Sequence, residues 1–304
     1  MSELPLRLVT HKNCLDGSMS AIVFEAHFGK QEVLFVNPNE VDDVKDRELY
    51  KTYFVDVCPS TSLEHEVILD HHFSSEQKLK NCNCKDFILD FNRCGCRILF
   101  EHLHDERCEF FGPGLEKNYL LNEIVLTVDD YDRYVLNEKE SSDLAAIHES
   151  YEQQDFIDAV LDNYAVLSSE KDYKNFHWKH LIGKGAWDNL SSIKKKDSIY
   201  VANALKRSWV SSFVHDDKTV EVASVFAEKC TNELADALLA HHNVNFCAIV
   251  NFDKMKISFR SNSEEINCAD IANKLSNGIG GGHKRAAAMP IDDELVKMFK
   301  SVLG

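Results

Sequence analysis

Histidines and aspartates that could bind metal ions are concentrated in three short segments of the first 72 residues. His11 and Asp16 lie in HKNCLDG, Asp56 lies in FVDV, and LDHH spans residues 69–72. Carboxylates combined with imidazoles suit a hard divalent cation such as Mn²⁺ better than a zinc site built from thiolates. An aspartate can bridge two such ions about 3.5–4 Å apart, which together activate water and bind a phosphoryl oxygen. Asp56, between the other two segments, is the expected bridge.

The segments that carry these residues have the pattern of strands in a parallel sheet. LRLVTH, EVLFVN, TYFVDV and EVILDHH are short and rich in Val, Leu, Ile and aromatic residues. Between the first two, GSMSAIVFEAHFG has apolar residues at helical spacing and ends in glycine. This order predicts a mostly parallel sheet covered by helices, in which ligands bind beyond the carboxyl ends of the strands. The metal-binding candidates are therefore expected to meet at one edge of the sheet.

The rest of the chain predicts a second α/β domain. Helical patterns extend from about residue 94 to 210, and strands and helices then alternate in VEVASVF, NELADALLAHH, NFCAIVNFD, KISFRS and CADIANKLS, ahead of a last helix. We predict an α/β protein with a parallel-sheet metal-binding domain over residues 1–190, a helical linker over 191–214 and a smaller α/β domain over 215–304.

The composition favours a soluble enzyme. Lys and Arg number 34 and Asp and Glu number 50, which gives a formal net charge of −16 over 304 residues. Binding of long duplexes needs a broad basic surface, which this acidic chain is not expected to have. No apolar run approaches the length of a membrane span, and MSELPLRL lacks the features of a signal peptide. A cytoplasmic location, no membrane contact and ten reduced cysteines are expected.

A glycine run near the C-terminus indicates a phosphate-binding loop. In GIGGGHKRAAA, Gly281 and Gly282 allow close backbone approach to an anion, and successive amide groups can form an anion-binding nest. His283 adds a donor, and Arg260 in the upstream SFRS has the planar guanidinium suited to a phosphate or carboxylate. A tight glycine turn without a ligand is the alternative.

Together these motifs resemble those of the DHH phosphoesterases that have an associated C-terminal domain. LDHH (69–72) is the motif after which the family is named, His11 to Ser20 resembles the first motif, and FVDV resembles the second. SFRS and GGGHKRAAA resemble the substrate-binding signature of the associated domain, so the resemblance extends from residue 8 to residue 288. It implies an active-site cleft between the two domains.

The resemblance also implies roles for individual residues of the first domain. His11 would bind the first ion, Asp16 and His71 the second, and Asp56 both. Two other residues of the LDHH motif, Asp70 and His72, would contribute to catalysis rather than bind an ion. Of these, Asp70 would orient a ligand through a hydrogen bond, and His72 would face the substrate phosphate.

In the second domain, the resemblance implies that Arg260, Gly281, Gly282 and His283 bind the substrate. A further metal ligand is expected from the helical segment TVDDYDRY (127–134), which offers Asp129, Asp130 and Asp132. VDDYDRY resembles the family's fourth motif, in which an aromatic or bulky residue follows the ligand by four positions. Tyr134 takes that place and selects Asp130.

Cys14 is a departure from the family pattern, which usually has an aspartate at this position. A subset of the family is similar in having Cys-x-Asp-Gly here. A thiolate suits Mn²⁺ poorly, so we expect two Mn²⁺ ions, with the first site weakened and with Mg²⁺ or Co²⁺ as possible substitutes.

The paired cysteines in NCNCKDFILDFNRCGC offer a different metal site. Cys82 and Cys84 form one Cys-x-Cys pair, and Cys94 and Cys96 form another. Structural zinc is an alternative, but its usual spacing is Cys-x-x-Cys. Buried free thiols are the preferred interpretation.

The resemblance implies a metal-dependent phosphodiesterase, and the acidic composition favours short single-stranded oligonucleotides over duplexes, in the manner of an exonuclease or oligoribonuclease. One alternative is hydrolysis of a small phosphate ester or a cyclic dinucleotide. A different alternative is a non-catalytic nucleotide-binding or nucleic-acid-binding protein with a degenerate metal site. The sequence does not indicate an oligomeric state.

Overall fold

The computed structural model describes residues 4–104, 119–169 and 177–291. The chain divides into two units, Met1–Ile193 and Lys194–Gly304. The predicted fold class is confirmed: the first unit has a parallel sheet and the second has its own sheet with helices. The predicted domain boundaries stay predictions. The segment 191–214, predicted as a helical linker, contains the end of one helix and most of a strand.

The sheet of the first unit has five strands, all paired in parallel, in the order β2-β1-β3-β4-β5. The strands are β1 (Leu6–His11), β2 (Glu32–Val36), β3 (Lys51–Val55), β4 (Val67–Asp70) and β5 (Asp86–Leu89). The first four correspond to the predicted strands. Strand β5 was not predicted, since DFIL is only four residues long and half exposed. The carboxyl ends of β1, β3 and β4 are neighbours in the sheet, as the parallel order requires.

Alternating side chains of the central strands fill two different cores, because successive residues of a strand point to opposite faces. Leu8 and Leu69 pack on the helix-covered face, whereas Val9, Phe54 and Ile68 pack on the other face. The helices of the first unit are α1 (Leu15–Phe28), α2 (Ser75–Leu79), α3 (Gly95–Leu103), α4 (Tyr119–Asp132), α5 (Lys139–His148) and α6 (Gln153–Ser169). Helix α7 (Lys184–Leu205) continues into the second unit.

Helix α1 begins directly behind the end of β1, and its first ten residues are all buried. Small residues make this close approach possible. A Cβ atom at Gly17 would overlap the backbone oxygen of His11, so no larger residue fits. This contact fixes the position of Asp16, in the first turn of α1, relative to His11, at the end of β1.

The second unit has a six-stranded sheet in the order β10-β11-β9-β8-β7-β6. Its elements are β6 (Trp209–His215), β7 (Lys218–Phe226), α8 (Thr231–His242), β8 (Phe246–Asn251), β9 (Lys256–Ser261), α9 (Cys268–Leu275), β10 (Gly281–Gly282) and β11 (Ala286–Pro290). Among these described strands, β7 and β8 pair in parallel and the other neighbours pair antiparallel. Strands β6, β10 and β11 were not predicted. The last helix that the sequence predicts falls largely in residues 292–304, outside the described residues.

Helices α8 and α9 each pack with a different set of strand residues. Ala223 and Cys247 lie in the core with α8, and Val222 and Phe259 lie in the core with α9. In the part of the chain that the structure describes, no helix combines the length and apolar character needed to cross a membrane.

Replacing Gly17 with alanine is expected to destabilise the first unit. The added methyl group collides with backbone rather than with a movable side chain, and overpacking of this kind typically costs about 1–3 kcal/mol or more. Urea unfolding of Gly17→Ala measures the loss. Gly185→Ala in α7 is the matched control, because nothing lies within 4 Å of its added Cβ atom. Equal stability of the two variants would contradict the close approach of α1 to β1.

Candidate metal centre

His71 lies at the centre of a cluster of carboxylates at the carboxyl edge of the first sheet. Its Nε2 atom is 2.9 Å from Oδ1 of Asp56, 3.6 Å from Oδ2 of Asp16 and 3.7 Å from Oδ2 of Asp132. His71, Asp16 and Asp56 are almost fully buried. One ligand atom from each of Asp16, His71 and Asp132 lies within 4.8 Å of the others, which is close enough to hold a single cation.

A second group of candidate ligands shares Asp56. Nδ1 of His11 is 3.5 Å from Oδ2 of Asp56, and the Cys14 thiol donates to the same oxygen at 3.6 Å. Ligand atoms of these three residues also lie within 4.8 Å of one another. Asp56 therefore has one carboxylate oxygen toward His71 and the other toward His11 and Cys14, which is the geometry expected of a bridging ligand.

The backbone of Asp56 adopts a left-handed conformation, with φ of +61°. This region is uncommon for residues other than glycine, and such strain often occurs at functional sites. The amide of Asp56 donates to the Leu69 carbonyl at 3.1 Å, so the pairing with β4 continues while the chain turns. This turn after β3 allows the carboxylate to reach both histidines.

The N-terminus of α3 holds the carboxylate of Asp16. The amides of Gly95 and Cys96 donate to its two oxygens at 2.7 and 2.6 Å, as expected for an anion at a helix N-terminus. A Cβ atom at Gly95 would lie 2.8 Å from Cβ of Asp56 and 3.0 Å from Oδ2 of Asp16. Gly95, which the sequence analysis did not single out, is therefore required by the approach of two candidate ligands.

The four paired cysteines do not form one zinc site. Cys94 and Cys96 lie in the core on the helix-covered face, whereas Cys84, with Cys82 against it, lies in the core on the opposite face. Burial raises the pKa of the Cys94 and Cys96 thiols well above the ordinary value, which favours the protonated form. This arrangement agrees with buried free thiols.

Asp70 accepts hydrogen bonds from its neighbours in the LDHH motif. Its Oδ1 accepts from the His71 amide at 2.7 Å and contacts Nδ1 of His72 at 2.9 Å, and its Oδ2 accepts from the Ser75 hydroxyl at 2.5 Å. Burial alone would raise the pKa of Asp70, but these hydrogen bonds and the two histidines lower it to about 2. Asp70 thus remains an anion that orients the His72 ring.

The three acids of TVDDYDRY have three different environments. Asp129 accepts from the Cys94 amide and pairs with two arginines, so it ties α3 to α4. Asp130 accepts from the amides of residues 137 and 138 at 3.0 and 3.1 Å, ahead of α5. Asp132 lies beside His71. The structure thus brings Asp132 to His71 and uses the carboxylate of Asp130 in the turn after α4. Metal binding by Asp130 stays a prediction, and the geometry favours Asp132 in its place.

The electrostatics of the cluster indicate an excess of buried negative charge. Burial, followed by repulsion from Asp56 and Asp132, raises the pKa of Asp16 to about 7. Burial also raises the pKa of Asp132. Asp56 is different: burial alone would raise its pKa, but hydrogen bonds from His11 and His71 bring it below the ordinary value. A divalent cation would offset this excess charge, so the residues present fit a metal of the predicted class.

Side chains from α5 and α6 support the turn that carries His11 and Cys14. Gln153 accepts from the Asn13 amide and donates to the Ser18 hydroxyl, both at 3.0 Å. Nε2 of His148 lies 2.8 Å from the same hydroxyl. These partners are separated by at least 130 residues along the chain, which is why no local sequence pattern could indicate them.

The predicted substrate-binding residues of the second unit lie on or directly after β9 and β10, the two strands that flank β11. Arg260 in β9 pairs with Ala286 in β11, and its Nε donates to Oδ1 of Asn232 at 2.9 Å. Gly281 and Gly282 form β10, and the His283 amide donates to the Ala286 carbonyl.

Gly282 has a structural requirement of its own. Its φ is +138°, and a Cβ atom there would lie 2.6 Å from the Ala286 oxygen. The close packing of β10 against β11 therefore accounts for this glycine. Substrate binding by Arg260, Gly281, Gly282 and His283 stays a prediction.

Comparison with known families identifies the second unit. Residues 207–304 match the family model described as the DHHA1 domain. The second unit is therefore a DHHA1 domain. This match bears out the resemblance to the DHH phosphoesterases that the motifs indicate. No curated protein sequence matches the chain.

Solved structures with a similar fold include RecJ from Thermus thermophilus in complex with Mn²⁺. It is 13% identical, the alignment covers 98% of this chain and 51% of that chain, and the TM-score is 0.50. The pGpG-specific phosphodiesterase PggH from Vibrio cholerae is 15% identical over 98% of this chain and 97% of its own, with a TM-score of 0.49. An uncharacterized protein from Helicobacter pylori G27 is 16% identical over 99% and 98% of the two chains, with a TM-score of 0.38. The RecJ match shows a shared fold.

Substitution of the two neighbouring acids, one at a time, tests which of them binds the metal. Asp132→Asn is expected to weaken Mn²⁺ binding by about tenfold or more, because it removes a charge and an oxygen from the cluster around His71. Asp130→Asn should retain Mn²⁺ affinity and lose about 1–2 kcal/mol of unfolding free energy, since it weakens the contacts with two amides. For each variant, calorimetric titration with Mn²⁺ measures the metal affinity, and urea unfolding measures the unfolding free energy. The opposite result, with Asp130→Asn losing the metal, would confirm Asp130 as the ligand.

Proposed function

We propose that this protein is a metal-dependent phosphodiesterase that hydrolyses short single-stranded oligonucleotides, acting as an exonuclease or oligoribonuclease. The observation that carries the proposal is the cluster of buried carboxylates and imidazoles around His71 in a chain with a DHHA1 domain. The acidic net charge of −16 favours short substrates over long duplexes. We further propose that the protein acts in the cytoplasm.

Two groups of residues would hold the divalent cations. His11 and Asp56, with Cys14, form one group, and Asp16, His71 and again Asp56 form the core of the other, joined by Asp132. A bound cation supplies charge neutralisation at the phosphoryl oxygens and lowers the pKa of water. We propose Mn²⁺ as the preferred ion, with Mg²⁺ or Co²⁺ as substitutes, on the basis of the mixed carboxylate and imidazole donors.

The remaining residues of the site bind and orient the substrate. Asp70 fixes the ring of His72 through Nδ1, so that the imidazole is held in one orientation toward a phosphoryl oxygen. Arg260, itself fixed by Asn232, and His283 bind a phosphate away from the scissile bond. Binding of this distant group orients the reacting phosphate, which lowers the activation barrier.

Two alternatives make different predictions for a substrate panel. A phosphodiesterase for cyclic dinucleotides or small phosphate esters would prefer those compounds over linear oligonucleotides. A non-catalytic binding protein would bind oligonucleotides without turnover. The panel consists of labelled di- to deca-nucleotides, cyclic dinucleotides and a 3′,5′-bisphosphorylated nucleoside, each incubated with the protein and Mn²⁺. Oligonucleotide binding without turnover of any of these would exclude the enzyme.

Asp56→Asn is expected to abolish turnover, because Asp56 contacts both groups of candidate ligands. The variant loses the negative charge that both cations require. Asp42→Asn is the control, since Asp42 bonds to Ser60 outside the cluster. Steady-state hydrolysis of a dinucleotide measures both variants, and near-normal turnover by Asp56→Asn would contradict the proposed centre.

Arg260→Ala is expected to raise KM about tenfold with a much smaller change in kcat. The guanidinium contributes a charged hydrogen bond to the distant phosphate, worth about 1.5–3 kcal/mol, and does not contact the reacting atoms. Arg260→Lys keeps the charge but loses the planar guanidinium, so its KM should lie between that of the wild type and that of Arg260→Ala. A loss confined to kcat would show that Arg260 acts in the chemical step instead.

A further inference from the structure

Two phenylalanine rings are exposed next to the candidate metal centre and contact each other. Phe73 is 54% exposed and Phe91 is 44% exposed. Their ring centroids are 5.9 Å apart, with an angle of 45° between the ring planes. Single exposed apolar residues are normal on a protein surface. Two large rings in contact, each about half exposed to solvent, present a continuous aromatic surface, here called the aromatic pair.

The position of the aromatic pair connects it with the phosphoesterase site. Phe73 directly follows His72 and the end of β4. Phe91 follows Asp90, and the Asp90 amide donates to the Asp70 carbonyl at 3.1 Å. Both rings are therefore carried by backbone that adjoins the LDHH motif, at the same edge of the sheet as the metal centre.

Short hydrogen-bonded turns hold both rings in place. The Ser75 amide donates to the His72 carbonyl at 3.0 Å, which closes the turn around Phe73. On the other side, Asp90 accepts from the Asn92 amide at 2.7 Å and from Nε of Arg93 at 2.8 Å, which closes the turn around Phe91. A surface held in this way loses little conformational entropy when a ligand binds.

The chemistry of the pair selects its ligand. A flat, uncharged aromatic surface beside a cluster of acids does not attract an anion such as a phosphate. It is suited instead to the base of a nucleotide. Nucleobases stack on aromatic side chains with about 1–3 kcal/mol per base, with little dependence on the base, because every base has a π face. Phe87 is a useful contrast: it is 53% exposed but lies within β5, away from the carboxyl edge.

We propose that Phe73 and Phe91 stack a nucleobase of the substrate, next to the phosphate that the metal centre hydrolyses. The inference rests on the proposed phosphodiesterase function and specifies its substrate class further. Recognition is of a nucleotide bearing a base, with tolerance for the identity of that base. A phosphodiester without a base at this position gains nothing from the aromatic pair.

Kinetics with a matched pair of substrates tests the proposal. One substrate is a dinucleotide, and the other has the same phosphodiester bond with a tetrahydrofuran abasic unit in place of one nucleoside, at either position. Phe73→Leu and Phe91→Leu are each expected to raise KM for the dinucleotide roughly 5- to 50-fold, with little change for the abasic substrate whose missing base normally stacks. Phe73→Tyr keeps the aromatic face and should retain wild-type KM. Phe87→Leu, in strand β5 of the same sheet, is the control and should leave KM unchanged for both substrates.

A binding measurement separates this inference from the proposed function. Quenching of a 2-aminopurine dinucleotide by the full-length protein, with Ca²⁺ in place of Mn²⁺ to prevent turnover, reports stacking alone. Phe73→Leu combined with Phe91→Leu should remove most of the quenching. If the wild type does not hydrolyse the dinucleotide but the aromatic pair still quenches the fluorescence of 2-aminopurine, the proposed function fails and the stacking proposal stands. If the wild type hydrolyses the dinucleotide and the abasic substrates with equal KM, and the leucine variants have the same KM values, the stacking proposal fails while the proposed function stands. The stacking proposal also fails if the variants change only the solution mass in light scattering, which would identify an interface between copies.

Discussion

The burial of several carboxylates around one histidine is the constraint on which the first unit depends. A buried charge without compensation is costly, and like charges close together increase that cost. Asp16 receives two backbone amides from α3, and Asp56 pairs with His71. These contacts compensate only part of the charge, as the raised pKa of Asp16 shows. The arrangement is therefore most stable with a divalent cation, and folding and metal binding are expected to be coupled.

The same constraint explains the special backbone positions around the cluster. Three separate segments must approach within a few ångströms, which ordinary side chains would prevent. Gly17 lets α1 begin against the end of β1, and Gly95 lets α3 bring its free amides to Asp16 beside Asp56. Asp56 itself accepts a left-handed backbone. Each of these costs conformational freedom or strain, and each serves to bring ligands together that the chain places far apart.

Much of the first sheet could be predicted from the sequence, because apolar strands that end in acids and histidines leave a local signal. The position of Asp132, rather than Asp130, beside His71 could not be predicted. Successive helical residues are 100° apart, so residues 130 and 132 point in very different directions from α4. The rotation of α4 relative to the sheet decides which one faces His71, and long-range packing with α1 and α3 sets that rotation. Strands β5 and β6 were missed for a similar reason, since their pairing depends on distant neighbours.

The two ligand groups differ in charge, and Cys14 is the origin of the difference. Burial, and then the nearby carboxylate of Asp56, raise the pKa of the Cys14 thiol well above its ordinary value, which favours the neutral form that donates to Asp56. The group with His11 therefore has one carboxylate, whereas the group with His71 has Asp16, Asp132 and a share of Asp56. Attraction for a divalent cation increases with the number of nearby negative charges. A weaker ion site beside His11 stays a prediction, and this difference in charge is the physical argument for it.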